Sequence, residues 1–74
     1  MTEILDATGL LCPLPVLKAR KRMMPLASGA EFVLITDDPA ALIDVPHFCA
    51  EAGHTLKETI DQNDGTHRFI LIKK

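Results

Sequence analysis

Gly9-Leu10-Leu11-Cys12-Pro13-Leu14-Pro15 runs directly into Val16-Leu17-Lys18-Ala19-Arg20-Lys21-Arg22, and its two prolines mark where a helix begins. A proline at the first helical position loses no hydrogen bond, because its missing N–H would be unpaired there, and its φ is already helical. Pro15 still falls in the first turn, where N–H groups have no partner inside the helix. The spacing therefore predicts a helix from Pro13 to about Met24 with Cys12 at the N-cap. Ser, Thr, Asp and Asn are the usual caps, so a cysteine here points to chemistry. Helix N-termini carry partial positive charge and free N–H groups, which favour a thiolate over a thiol. Cys12 is accordingly the candidate nucleophile, expected to ionise below the free-cysteine value of about 8.5. The plainer reading, a small apolar residue ahead of a helix, leaves the rigid prolines beside it unexplained.

Working outward, Glu3-Ile4-Leu5-Asp6 reads as a short strand and Ala7-Thr8-Gly9 as the turn that leads to the helix. At 100° per residue, Val16, Leu17, Ala19, Met23, Met24 and Leu26 share one half of the helical wheel, with Lys18, Lys21 and Arg22 opposite. Arg20 falls inside the apolar arc, which predicts a snorkelling stem or an ion pair with Asp37 or Asp38. Pro25 ends the helix and Ser28-Gly29 breaks the chain. Glu31-Phe32-Val33-Leu34-Ile35-Thr36 is apolar on both faces, the pattern of a central strand. Asp37-Asp38-Pro39 reads as a cap and a first helical proline. Pro46 predicts a break, giving a helical turn over 39–43 and then a helix from about Val45 to Ala52, capped by Asp44 and stopped by Gly53. Thr55 to Ile60 and His67 to Ile72 flank an Asp64-Gly65 hairpin signal. The order β-α-β-α-β-β predicts one domain over residues 1–74, an α/β (α+β) two-layer sandwich. Its four-stranded mixed sheet carries both helices on one face. Because Phe69 and Leu71 alternate with Ile70 and Ile72, some apolar surface is expected on the uncovered face.

A chain of 74 residues with 47% hydrophobic residues, three Phe and no Trp or Tyr must build an aliphatic core. Two cysteines make no disulfide framework, no signal peptide is read, and the apolar run Phe32 to Ile35 is far too short to span a membrane. A soluble, cytoplasmic protein is expected. A net charge of −2 argues against nucleic-acid binding. Four of the eight Lys and Arg residues nevertheless lie between Lys18 and Arg22. His47, Cys49 and His54 lack paired metal-ligand spacing, and Cys49, beside Phe48, reads as core. The position three residues after Cys12 is Pro15, which excludes a thioredoxin-type dithiol. No Ser/His/Asp grouping or Gly-rich phosphate loop is present, and neither a metal nor a cofactor is expected.

Gly9 to Pro15 resembles the Cys-Pro-x-Pro signature of the TusA-like (SirA-like) sulfur-carrier proteins. The resemblance continues through Asp37-Asp38-Pro39, Asp44-Val45-Pro46-x-Phe48-Cys49 and Gly53-His54, over essentially the whole chain. It implies the same sandwich fold and a sulfurtransferase whose Cys12 accepts sulfane sulfur as a persulfide. The donor would be a cysteine desulfurase or another persulfide protein, and the sulfur would pass to an acceptor protein. Gly9, Pro13 and Pro15 would set the helix entrance, while Lys18, Lys21 and Arg22 would dock acidic partners. Neither nucleic acid nor membrane is an expected partner, and the protein is expected to be a monomer or weak dimer. Leu11 and Leu14 stand where tRNA-thiolation members would carry Arg and Glu. The destination of the sulfur, in tRNA 2-thiouridine, molybdenum cofactor or sulfur oxidation, therefore stays open. A rival reading is a non-catalytic interaction or redox-sensing module that uses the open sheet face.

Overall fold

The computed structural model describes residues 2–74. Its elements are β1 (Glu3–Asp6), α1 (Leu14–Met23), β2 (Glu31–Thr36), α2 (Ala41–Ala52), β3 (Thr55–Asp61) and β4 (His67–Ile72), the expected β-α-β-α-β-β order. The sheet runs β1-β2-β4-β3. β1 lies parallel to β2, while β4 is antiparallel to both β2 and β3. The second helix thus carries the chain from the middle of the sheet to its far edge, and the hairpin returns β4 into the gap. The two central strands, β2 and β4, carry the longest apolar runs of the sheet, Phe32 to Ile35 and Phe69 to Ile72.

Strand alternation decides which groups meet the helices. Leu5, Phe32, Leu34, Phe69 and Leu71 point to one side and are buried against Ala19 and Met23 of α1 and Ala41, Val45, Phe48 and Cys49 of α2. Ile4, Val33, Ile35, Ile70 and Ile72 point the other way, and neither α1 nor α2 covers that side. Ile4 is 54% exposed. A bulge at Lys57 lets its ammonium reach Glu31 across β4, at 3.6 Å.

Two helix expectations are corrected. Leu17 and Met24, placed on the core arc by periodicity, are 52% and 72% exposed. Only Pro15, Ala19 and Met23 of α1 are buried, because a small sheet offers one helix a narrow strip. The predicted break at Pro46 is absent, since α2 is continuous from Ala41 to Ala52 with Pro46 inside it. Residues 41, 45, 48 and 49 form a single stripe that spans the proline. An interior proline costs about 3 kcal/mol, but burying Val45 and Phe48 returns about 1.5–3 kcal/mol each. Pro46 itself is exposed, so its ring displaces nothing in the core. Asp44 consequently lies in the first turn of α2 and caps nothing. Gly53 ends the helix as expected, with φ 83° and its N–H on the Cys49 carbonyl at 2.9 Å.

Candidate functional site around Cys12

Cys12 sits where the parallel strands β1 and β2 end, the region in which open α/β sheets place their sites. Carboxylates at those strand ends hold the connecting loop by its backbone. Asp6 Oδ1 accepts from the Thr8 N–H at 3.0 Å and from the Thr8 hydroxyl at 2.7 Å. Both oxygens of Asp37 accept from the Gly9 N–H at 3.0 Å. Gly9 has φ 81°, a left-handed conformation that glycine adopts without strain. Asp38 Oδ2 accepts from the Cys12 N–H at 2.7 Å, and Oδ1 accepts from the Ala40 N–H at 3.0 Å. Those two N–H groups hold the Asp38 carboxyl below its ordinary range, and the Thr8 contacts do the same for Asp6.

The helix entrance is shifted by one residue from the expectation. Pro13, not Cys12, occupies the N-cap position, and Pro15 is buried in the first turn. The chain enters through Leu14 N–H to Leu11 O at 2.9 Å and Leu17 N–H to Pro13 O at 3.1 Å. Among the described residues no side chain caps α1. The Cys12 thiol instead donates to Asp44 Oδ2 of α2. This contact overturns the expectation of a lowered thiol pKa. The Cys12 value is raised, first by the Asp44 hydrogen bond, then by desolvation and by the charges of Asp44 and Asp38. A full negative charge at hydrogen-bond distance outweighs the roughly half charge of a helix terminus, which is spread over several N–H groups.

A groove of about 200 Å³ opens beside Cys12 between the helices. Pro13, Val16 and Phe48 form its apolar lining, and Asp44, Arg20, His47 and Glu51 its polar one. Arg20 is paired not with Asp37 or Asp38 but with Glu51, at 3.3 Å, and its guanidinium lies 5.0 Å from the centre of the Phe48 ring. Asp37 and Asp38 are taken up by the loop backbone, while the helix pairing brings Arg20 over α2. Glu51 also meets His47, at 3.5 Å.

Lys18, Lys21 and Arg22 line a different recess, of about 230 Å³, with Leu5. Arg22 pairs there with Glu3. Of the four basic residues in the cluster, only Arg20 shares the groove with Cys12. Cys49 is 2% exposed, and burial pushes its thiol up to about 11. His54 accepts the Lys74 N–H on Nδ1 at 3.0 Å and meets the Phe48 ring edge-on at 5.5 Å. Among the described residues no three His, Cys, Asp or Glu side chains converge as a metal site would require, and no helix is long and apolar enough to cross a membrane.

Sequence reasoning missed two groups at the site, Asp38 as anchor of the Cys12 backbone and Asp44 as partner of its thiol. Both are acids near helix starts, a local pattern that reads as capping. The fold redirects them to Cys12.

Fold and site together define a small two-layer α/β protein organised around an exposed thiol at the carboxyl ends of two parallel strands. The chain belongs to the TusA sulfurtransferase family, whose description, Sulfurtransferase TusA, matches residues 3–74. Proteins of this family are sulfur carriers that exchange sulfur with donors and acceptors. In fold the chain is similar to the SirA-like protein of Desulfitobacterium hafniense, known from a crystal structure. The TM-score is 0.85 and the identity 22%, over 97% of this chain and 96% of that one.

Proposed function

We propose that this protein carries sulfane sulfur on Cys12, accepting it from a persulfide on a donor such as a cysteine desulfurase and handing it to an acceptor protein. The observation that carries this reading is the exposure of Cys12 beside an open groove while Cys49 is sealed in the core. In the loading step the Cys12 sulfur, as thiolate, attacks the terminal sulfur of the donor persulfide. A new S–S bond forms on Cys12 and the donor S–S bond breaks. The donor cysteine leaves as a thiolate, which takes up the proton Cys12 gave, so no net oxidation occurs. Delivery repeats the step with the acceptor thiolate as attacker and Cys12 as leaving group.

Gly9, Pro13 and Pro15 serve this chemistry by fixing the approach to α1. The exposed face of α1 serves docking. Leu14, Leu17, Lys18 and Lys21 recur at helical spacing, and both leucines stand open to solvent. Exposed leucines beside lysines that form no ion pair among the described residues suit a partner surface that is apolar and acidic. Leu17, left outside the core by the narrow strip of sheet beneath α1, is open for such a contact. The acceptor pathway, tRNA thiolation or another, is a matter of which protein fits this face.

Whole-protein mass spectrometry after incubation with a desulfurase and free cysteine tests the reading. One added sulfur on Cys12, removable by reductant and absent in Cys12→Ser, is expected. No added sulfur with active donors would favour the interaction-module reading.

A further inference from the structure

The thiol of the nucleophile is not free in the resting protein. Cys12 comes from the loop before α1 and Asp44 from α2, 32 residues apart in the chain, yet the S–H is directed at Oδ2 of the carboxylate. Asp38, from the turn ahead of α2, fixes the Cys12 backbone from the same side. The charged and titratable groups facing this region are Asp38 from the turn, Asp44, His47 and Glu51 from α2, and Arg20 from α1. The one permanent cation among them, Arg20, is paired with Glu51, which also meets His47. Among the described residues no ion pair involves Asp38 or Asp44. The carboxylate of Asp44 is therefore left to act on the thiol undiluted.

We propose that Asp44 is a positioning residue for Cys12, holding the thiol protonated and turned onto the groove until a docked sulfur partner displaces the hydrogen bond. A carboxylate that accepts the S–H stabilises the thiol and repels the thiolate, so the unpartnered protein presents a quiet sulfur. Such a thiol reacts slowly with oxidants and stray electrophiles, which attack through the thiolate. A carrier needs that restraint, because its cysteine must stay exposed between encounters. When a partner covers the groove and separates Asp44 from Sγ, the proton is released to the leaving donor thiolate as the new S–S bond forms. Asp44 takes no part in bond making. This assignment rests on the carrier reading for its purpose but not for its measurement.

The test is the pH profile of Cys12 alkylation by iodoacetamide, an uncharged reagent, in a Cys49→Ala background. Asp44→Asn is expected to raise the rate at pH 7.5 roughly threefold or more and to move the rising limb of the profile to lower pH. Asp44→Glu, which keeps the charge, is expected to restore slow alkylation. A purely structural role would leave the profile of a folded Asp44→Asn protein in place. An unchanged or slower rate in that variant overturns the proposal. Should Asp44→Asn not fold by circular dichroism, Asp44→Ser removes the charge with a side chain suited to a first helical turn, and the same outcomes apply. An alkylation shift with no sulfur uptake by any variant leaves the assignment standing and overturns the carrier reading.

Discussion

Replacing Cys49 by alanine gives a stability difference whose sign depends on pH. At neutral pH the substitution removes a sulfur from a site that is 2% exposed and packed with Phe48 and Val45. The loss is about 1 kcal/mol, at the low end for a core truncation. The folded thiol titrates at about 11, against an ordinary value of 9.0. A folded value above the unfolded one means that burial favours the neutral thiol. That contribution is fully present below about pH 9 and is lost as pH rises through about 11. At pH 10 the unfolded thiol is mostly ionised and the folded one is not, so wild type has lost on the order of 1 kcal/mol, and above pH 11 roughly 2–3 kcal/mol. Alanine has nothing to ionise. The two stabilities should therefore cross between about pH 9 and 11, with wild type ahead at neutral pH and Cys49→Ala ahead above the crossing. All other ionisable groups are common to the two proteins and cancel in the difference, and the chain contains no tyrosine. Paired urea titrations at pH 7.5 and 10.5 under reductant would measure it. A difference of the same sign and size at both values would refute the reasoning. Sulfur loading at neutral pH should be unchanged in Cys49→Ala.

Three further outcomes are expected. Cys12→Ser should melt like wild type, because the side chain is exposed and caps nothing, yet take up no sulfur, and uptake by this variant would end the carrier reading. Reversing Lys18, Lys21 and Arg22 to Glu should slow transfer from a donor and flatten its salt dependence. Part of any stability loss would come from the Arg22→Glu change, which sets a second carboxylate against Glu3 where an ion pair stood. A variant reversing only Lys18 and Lys21 therefore isolates docking, with time-resolved mass spectrometry as the readout. Arg20→Ala removes a cation from the Phe48 ring and an exposed ion pair with Glu51. It should cost about 0.5–1.5 kcal/mol by thermal melts, and the same loss in Arg20→Lys would assign the effect to the planar guanidinium.

The order of elements was legible in the sequence because each signal is local. Two prolines announce α1, an all-apolar run announces a central strand, Gly53 stops α2 and Asp64-Gly65 turns the hairpin. Cys12 stands out in the sequence as the candidate nucleophile, since a cysteine before Pro-x-Pro has few structural reasons to be there, and the fold leaves it exposed beside a groove. The break expected at Pro46 failed because a lost hydrogen bond is local while the stripe 41, 45, 48, 49 that overrides it gains its energy only against the sheet. Leu17 and Met24 read as core because a helical wheel gives direction but not how much sheet lies beneath it. The ionisation of Cys12 depends most on the fold. From the sequence its surroundings are a helix terminus, which favours the thiolate. In the folded protein α2 brings Asp44 onto the sulfur, and electrostatics at contact distance belong to tertiary structure alone, because the charge that dominates comes from 32 residues away in the chain.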